Sequence, residues 1–399
     1  MNKWANCAPC AHRFTRKWIL RTVLIAFSAL AGGQASAALD DPNAEVVHLK
    51  KNCGTLANCT SSVLQLNNWI RDTRRPNETN PLVVNIGPGT FSDRPLSLAC
   101  DGTVGFRGYI SFIGAGIDVT ILDAQKTHWF GALGTCNNLN FSALSLKNSA
   151  PPGTVNAYAV IAWSSGGSSQ WANVGVEGSA YAWREDSCEG TGQHYWHSSR
   201  LRVTSSTFTI AVVYGAGCDE SWFFGSELFM MLPPNDPAAG NSAVARASKP
   251  TPSNMGILHF YGSVLRTGTD ASNGMLRGIA ADGGEVHLHG VGMDFVSASG
   301  IPVVALEAEN GGHIHGAATA YSVHTSGAFT RELIGDGGGT IDAPYFWGAR
   351  PASLLDRVYS VDGEDTAIDT AAADGKPHSL VYRSSCGRRW YDTTADACW

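Results

Sequence analysis

The chain has 399 residues, of which 45 are glycine, with 16 % charged residues and a net charge of −6. That balance is unlike a helical protein and typical of a turn-rich, strand-rich one, in one or two domains by length. Its acidity excludes the general positive field that a nucleic-acid-binding surface relies on.

The first element is a targeting segment. Arg13, Arg16, Lys17 and Arg21 precede an apolar run from Val23 to Ala31, and Ala35-Ser36-Ala37 supplies the small-x-small cleavage pattern. The run is too short to span a bilayer, which needs about 20 residues. Residues 1–37 therefore read as a signal peptide, the mature chain is expected to start at Ala38, and no membrane span remains after cleavage. Removal of Lys3 and those four basic residues, with no acid among them, takes the net charge from −6 to −11. The product is expected to be exported, periplasmic or secreted, and to act as a monomer. Cys7 and Cys10 leave with the signal, and the remaining eight cysteines suit disulfides in an oxidising compartment. No CxxC remains, so no metal site is assigned to them.

A short lead strand, Glu45 to Leu49, precedes TSSVLQLNNWIRD, residues 60–72. Thr60 or Ser61 can act as N-cap, and Val63, Leu64, Leu66, Trp69 and Ile70 make a broad apolar helical face. One short amphipathic helix ahead of a strand-rich region suits a cap over the open end of a solenoid.

Then come PLVVNIGPGTFSDRPLSL and GYISFIGAGIDVTILDA. An apolar strand, Gly-Pro-Gly-Thr-Phe, another strand and Gly-Ala-Gly-Ile-Asp-Val-Thr-Ile-Leu resemble the opening coils of the pectin-lyase-like right-handed β-helix proteins. The likeness is specific over residues 82–123 and diffuse to about residue 347. It implies an all-β chain, a right-handed parallel β-helix (solenoid) with a short N-terminal capping helix and a disulfide-stapled C-terminal cap. Residues 38–348 would form the helix with its N-terminal cap, and residues 349–399 the C-terminal cap. Because neighbours in sequence are neighbours in space in a solenoid, the expected disulfides are 53–59, 100–136, 188–218 and 386–398.

Residues 158–224 concentrate Trp163, Trp171, Tyr181, Trp183, Tyr195, Trp196 and Trp222. Arg184, Glu185, Asp186, His194, His197, Arg200 and Arg202 lie among them, and flat rings beside hydrogen-bonding groups suit the mixed faces of a sugar. Trp183, Trp196 and Arg200 are the candidates for substrate binding here; core packing is the alternative fate for any single Trp. Asp219-Glu220, after Cys218, could bind calcium, the one cofactor considered, or form a turn beside a disulfide.

A period follows. SWFFG ends at Gly225, and a Pro-rich insertion, residues 232–254, lengthens the next coil. GILHFYG ends at Gly262, GEVHLHG at Gly290 and GGHIHG at Gly316, at intervals of 28 and 26, and GGGTIDAP follows. Strand alternation sends Leu258, Phe260, Val286, Leu288, Ile314 and Ile341 inward. Aligned on the closing glycines, the outward residues form one column of His259, His287, His313 and Thr340. A second column holds Tyr261, His289, His315 and Asp342, with Glu285 nearby. His287, His313, His289, His315 and Glu285 are the candidate catalytic residues; His259, Tyr261 and Asp342 are candidate substrate-binding residues. Three readings stay open: a stacked structural ladder, a floor that binds or transforms sugar, and a divalent metal site, for which flat columns converge poorly. Further on, Glu307 and Glu309 share a strand face, and Arg277, one coil earlier, could pair with either.

The tail ends in CGRRWYDTTADACW, where Trp390, Tyr391 and Trp399 could cover the last coil. Within the resembled superfamily, Gly292-Met293-Asp294-Phe295-Val296 looks faintly like one aspartate segment of pectin methylesterases, but their other motifs are missing. The polygalacturonase and alginate-epimerase motifs are missing too. Polysaccharide lyases, with less regular signatures, survive elimination. The expected function is polysaccharide-directed, a lyase on uronate chains; the alternative is a non-catalytic envelope or surface β-helix that binds glycan or a partner.

Overall fold

The computed structural model describes residues between 39 and 398. Before residue 349 the breaks longer than five residues are 101–107, 150–159, 186–191, 205–210, 233–241, 270–275 and 326–332, and past 349 only short strands are described. The signal segment lies outside the described residues.

Among the described residues many strands of five or six residues alternate between buried and more exposed positions. Leu82–Ile86 buries Leu82, Val84 and Ile86 and leaves Val83 and Asn85 half-buried. Such a strand has one dry face and must lay it against another. The solution is a coil of three strands, for example Leu276–Asp282, Glu285–His289 and Gly292–Ser297. The next coil repeats it with Val303–Glu309, His313–Ala317 and Ala320–Thr325. Each strand pairs in parallel with its counterpart one coil away. The described parallel strands fill one 20-stranded and one nine-stranded sheet. This is the parallel β-helix that the pectin-lyase-like resemblance implies.

The core is the bore of the coil. Phe112, Phe141, Trp171, Trp196, Phe223 and Phe260 occupy one inward position on successive coils, with ring centroids 5.0, 4.1, 4.6, 5.9 and 4.9 Å apart along the series. All six are buried, and rings of this size remove roughly 150–250 Å² each from water. Leu288 continues the position beyond Phe260.

Glycines set how closely coils approach. Gly256, Gly284, Gly312 and Gly339 each open a strand just where a Cβ would meet the previous coil's backbone, at 2.1, 2.6, 2.0 and 2.1 Å. These leading glycines recur at intervals of 28, 28 and 27 residues. They, and not the closing glycines, keep the period.

The N-terminal cap is a helix, Val63–Asn68, that widens into a π-helical stretch, Trp69–Arg74. Its N-cap is Ser62, two residues after Thr60 and one after Ser61, and Ser62 Oγ accepts from Gln65 N. Asp93, from the loop after Gly89–Phe91, accepts from Ser62 Oγ (2.6 Å), Val63 N (3.1 Å) and Leu64 N (3.2 Å), so the carboxylate neutralises the orphan donors of the first turn. Val63, Leu66, Trp69 and Ile70 are buried as expected, whereas Leu64 is exposed. Cys53 and Cys59 are joined by a disulfide, and Cys136 is disulfide-bonded as well. The expected pairs 188–218 and 386–398 involve residues outside those described.

Two expectations about the later coils change. The stretch 232–254 is not simply an insertion, because Ala243–Ser248 within it is a regular strand paired with Ala211–Gly215 and Leu276–Asp282. Past Trp347–Ala349 the parallel pairing gives way to antiparallel pairs, Val358–Tyr359 with Ala367–Ile368 and Leu380–Tyr382 with Trp390–Asp392.

Candidate functional site

The outward face of the Gln193–His197, Glu220–Phe224, Ile257–Tyr261, Glu285–His289 and His313–Ala317 strands carries the site. Register across these coils puts Tyr195, Trp222, His259, His287, His315 and Asp342 in one column. His197, Phe224, Tyr261 and His289 form a second column. A third holds Glu285, His313 and Thr340.

The columns predicted from the closing glycines are therefore right as far as His287 and His289, wrong at the step to the next coil, and right again in setting His313 beside Thr340 and His315 beside Asp342. His313 lies opposite Glu285, not His287, and His315 takes the place beside His287. Gly316 lies opposite Leu288 within the strand, whereas Gly262 and Gly290 sit at turns with φ of 56° and 61°. Aligning a strand glycine with two turn glycines shifted that coil by two residues, which preserves inward and outward faces but changes every neighbour.

The rings of the first two columns are stacked. Along the first, Trp222–His259 is 3.7 Å, His259–His287 4.5 Å and His287–His315 5.1 Å between centroids, with interplanar angles of 10°, 10° and 18°. Along the second, Phe224–Tyr261 is 5.2 Å and Tyr261–His289 4.6 Å. Stacking hides ring faces against one another, so the strip shows solvent mainly ring edges: imidazole nitrogens, a phenol and an indole N–H.

Electrostatics divide the histidines. His259 is 8 % exposed, and its Nε2 has no hydrogen-bond partner among the described residues. Burial, reinforced by the nearby His287 and His289, lowers its pKa to about 4, so it is neutral at pH 7. Burial also lowers the pKa of His287, against an opposing pull from Glu285. His287 Nε2 lies 2.9 Å from Glu285 Oε1, and His315 Nε2 lies 3.5 Å from the same oxygen. A neutral His287 donating Nε2–H to that carboxylate keeps its lone pair on Nδ1, the tautomer a general base needs. His313 Nδ1 and Thr340 Oγ1 are 2.5 Å apart. His289 and Asp342 are exposed. Among the described residues no three His, Cys, Asp or Glu side chains form a group that could hold a metal ion.

The other sugar-binding candidates lie elsewhere. Trp183 and Trp196 are in the bore, 1 % and 0 % exposed, and cannot offer a face to a ligand. Glu185 and His194 also point inward: Trp183 Nε1 donates to Glu185 Oε1 (2.7 Å), Ser221 hydrogen-bonds that carboxylate, and Ser169 Oγ meets His194 Nδ1 (2.7 Å). Arg200 is on the next strand of the coil, ion-paired to Asp118 at 2.5 Å. Asp219 lies outside the described residues, and Glu220 accepts from Trp222 Nε1 at 3.2 Å. On the nine-stranded sheet, Arg277 pairs with Glu307, while Glu309, beside Glu307, is pushed up to about 7 by burial and then by that neighbouring acid.

Sequence reasoning missed that Trp222, Phe224, Tyr195 and His197 extend the strip. The signal was present: SWFFG set against GILHFYG places Trp222 over His259 and Phe224 over Tyr261.

No protein-family model matches the chain, and no curated protein does. Among solved structures, it is similar to a pectin methylesterase from carrot, at 11% identity and a TM-score of 0.41, covering 77% of this chain and 89% of that one. It is similar too to the catalytic domain of a GH87 alpha-1,3-glucanase in complex with nigerose, at 12% identity and a TM-score of 0.31, covering 80% and 70%. At these values the fold rests on the strand pairings themselves.

Proposed function

We propose that the chain is exported and acts on uronate polysaccharide along the imidazole strip, with His287 as general base. The observation that carries this reading is the Glu285–His287 pair on a half-open face, the imidazole kept neutral by burial and oriented by the carboxylate. In such an elimination Nδ1 of His287 takes the proton α to the uronate carboxylate. The β C–O bond to the neighbouring sugar breaks as the ring double bond forms, and the departing oxygen takes up a proton. Disulfide bonding at Cys53, Cys59 and Cys136 supports an oxidising compartment.

A second reading, a non-catalytic glycan-binding face, is favoured by one feature. The outward residues of these strands include no Lys or Arg to neutralise a substrate carboxylate. The test is incubation of the protein with a panel of uronate polysaccharides, with and without calcium, following absorbance of the unsaturated product. Product formed by the native chain and lost in His287→Ala, with folding intact, supports the lyase. Absence of product with every substrate removes the lyase reading and leaves binding.

A further inference from the structure

Resting on that reading, a question follows about how so acidic a protein accepts an acidic polymer without arginine or lysine on the strip. The strip supplies its own answer in the way its histidines are placed. His259 is enclosed between Trp222 and His287 and stays neutral. His287 is half-buried and leans on Glu285. His289 and His313 are exposed and His315 is 45 % exposed at its side chain, so all three can meet a ligand.

The groups facing these imidazoles set the sign of the strip. His315 faces Glu285 and His287 from the preceding coil, His313 along its own strand and Asp342 from the following coil, and His313 faces Glu285 from the preceding coil and Thr340 from the following one. His289 faces Tyr261 from the preceding coil, and His259 and His287 feel its charge. Farther along, Glu220 is held by Trp222. With every imidazole neutral, Glu285, Asp342 and Glu220 leave the strip anionic, and a polyuronate is repelled. With His289, His313 and His315 protonated, three positive charges offset three negative ones, and the edges that face solvent are cationic donors. Histidine is the side chain whose charge changes in this pH range.

We propose that the strip binds carboxylated sugar chains by proton uptake: His289, His313 and His315 become imidazolium opposite ligand carboxylates, while His259 and His287 remain neutral. His289 lies on one coil and His313 and His315 on the next, about 4.8 Å away, so the charges form a patch two coils wide instead of a single-ion pocket. The face thereby divides its labour between a half-buried neutral base and exposed proton-dependent cations, and binding strengthens toward acid pH while His287 stays neutral.

The test is calorimetric titration of the full-length chain with a defined oligogalacturonate, and with a neutral oligoglucan, in two buffers of different ionisation enthalpy. Binding of the oligogalacturonate is expected to be about tenfold or more tighter at about pH 5 than at about pH 7.5, with net proton uptake. The uptake should fall in His289→Gln/His315→Gln, whose thermal melt reports folding. Tight oligogalacturonate binding without proton uptake, or uptake unchanged in the double variant, overturns the inference and leaves the polysaccharide reading standing. Equal binding of the neutral oligoglucan also overturns it. No binding of either sugar at either pH overturns both.

Discussion

The two faces of the same strands make the instructive contrast. Inside, Phe112 through Phe260 stack at 4.1–5.9 Å in a dry bore; outside, Trp222 through His315 stack at 3.7–5.1 Å on a face that water reaches. One geometric device, a ring repeated once per coil, serves both. Inside, the rings displace water and must fill space, so the ladder is a stability element. Outside, the same stacking places titratable rings at fixed separations, so the ladder becomes an electrostatic element.

The sharpest way to break this contrast is to remove one ring from each side. Trp196→Ala empties a fully buried position between Trp171 and Phe223, and its expected cost is about 3–5 kcal/mol in denaturant unfolding. Next comes spacing between coils: Gly312→Ala puts a Cβ 2.0 Å from Ala281 O and is expected to cost about 1–3 kcal/mol. Gly290→Ala meets nothing within 4 Å and bears only the strain of its φ of +61°, about 1–2 kcal/mol. On the outer side, Trp222→Ala should cost about 1 kcal/mol, and it should also raise the His259 pKa toward the ordinary value, because burial is the main cause of its depression. Imidazole NMR titration checks the second part.

The smallest effects are two opposite pH slopes. His259 titrates near 4 in the folded chain and near 6.5 unfolded, so between those values only the unfolded state holds the proton and stability falls as pH falls. His259→Phe should flatten that limb of the melting-temperature profile. Glu309, on the nine-stranded sheet, is raised from 4.5 to about 7, so its contribution is full below about 4.5 and is lost as pH rises through 7. Glu309→Gln should flatten the opposite limb. Identical slopes in both variants would contradict the assigned environments.

Much of this could be read from residues. Alternation in GEVHLHG and GGHIHG correctly sends Val286, Leu288 and Ile314 inward and Glu285, His287, His289, His313 and His315 outward. The cap helix follows from its apolar spacing, apart from Leu64 and the N-cap. Reading Trp183 and Trp196 as sugar platforms failed because an aromatic-rich segment looks alike whether its rings line the bore or the surface, and only strand parity separates them. Arg200 lies apart from the strip because the turn at Ser198 and Ser199 starts another strand of the coil.

What the sequence by itself determined is local: which side of each strand is dry, and that the chain repeats at a spacing in the twenties. These follow from backbone geometry, since side chains alternate at every residue whatever the strand packs against. What only the tertiary structure decided is which residue of one coil sits beside which residue of the next. Close backbone approach at the leading glycines sets that register and places His315 on His287 and His313 by Glu285. A shift of two residues leaves every strand equally amphipathic, so hydrophobic pattern alone does not select between the alternatives, and the chemistry of the strip depends on the one that is adopted.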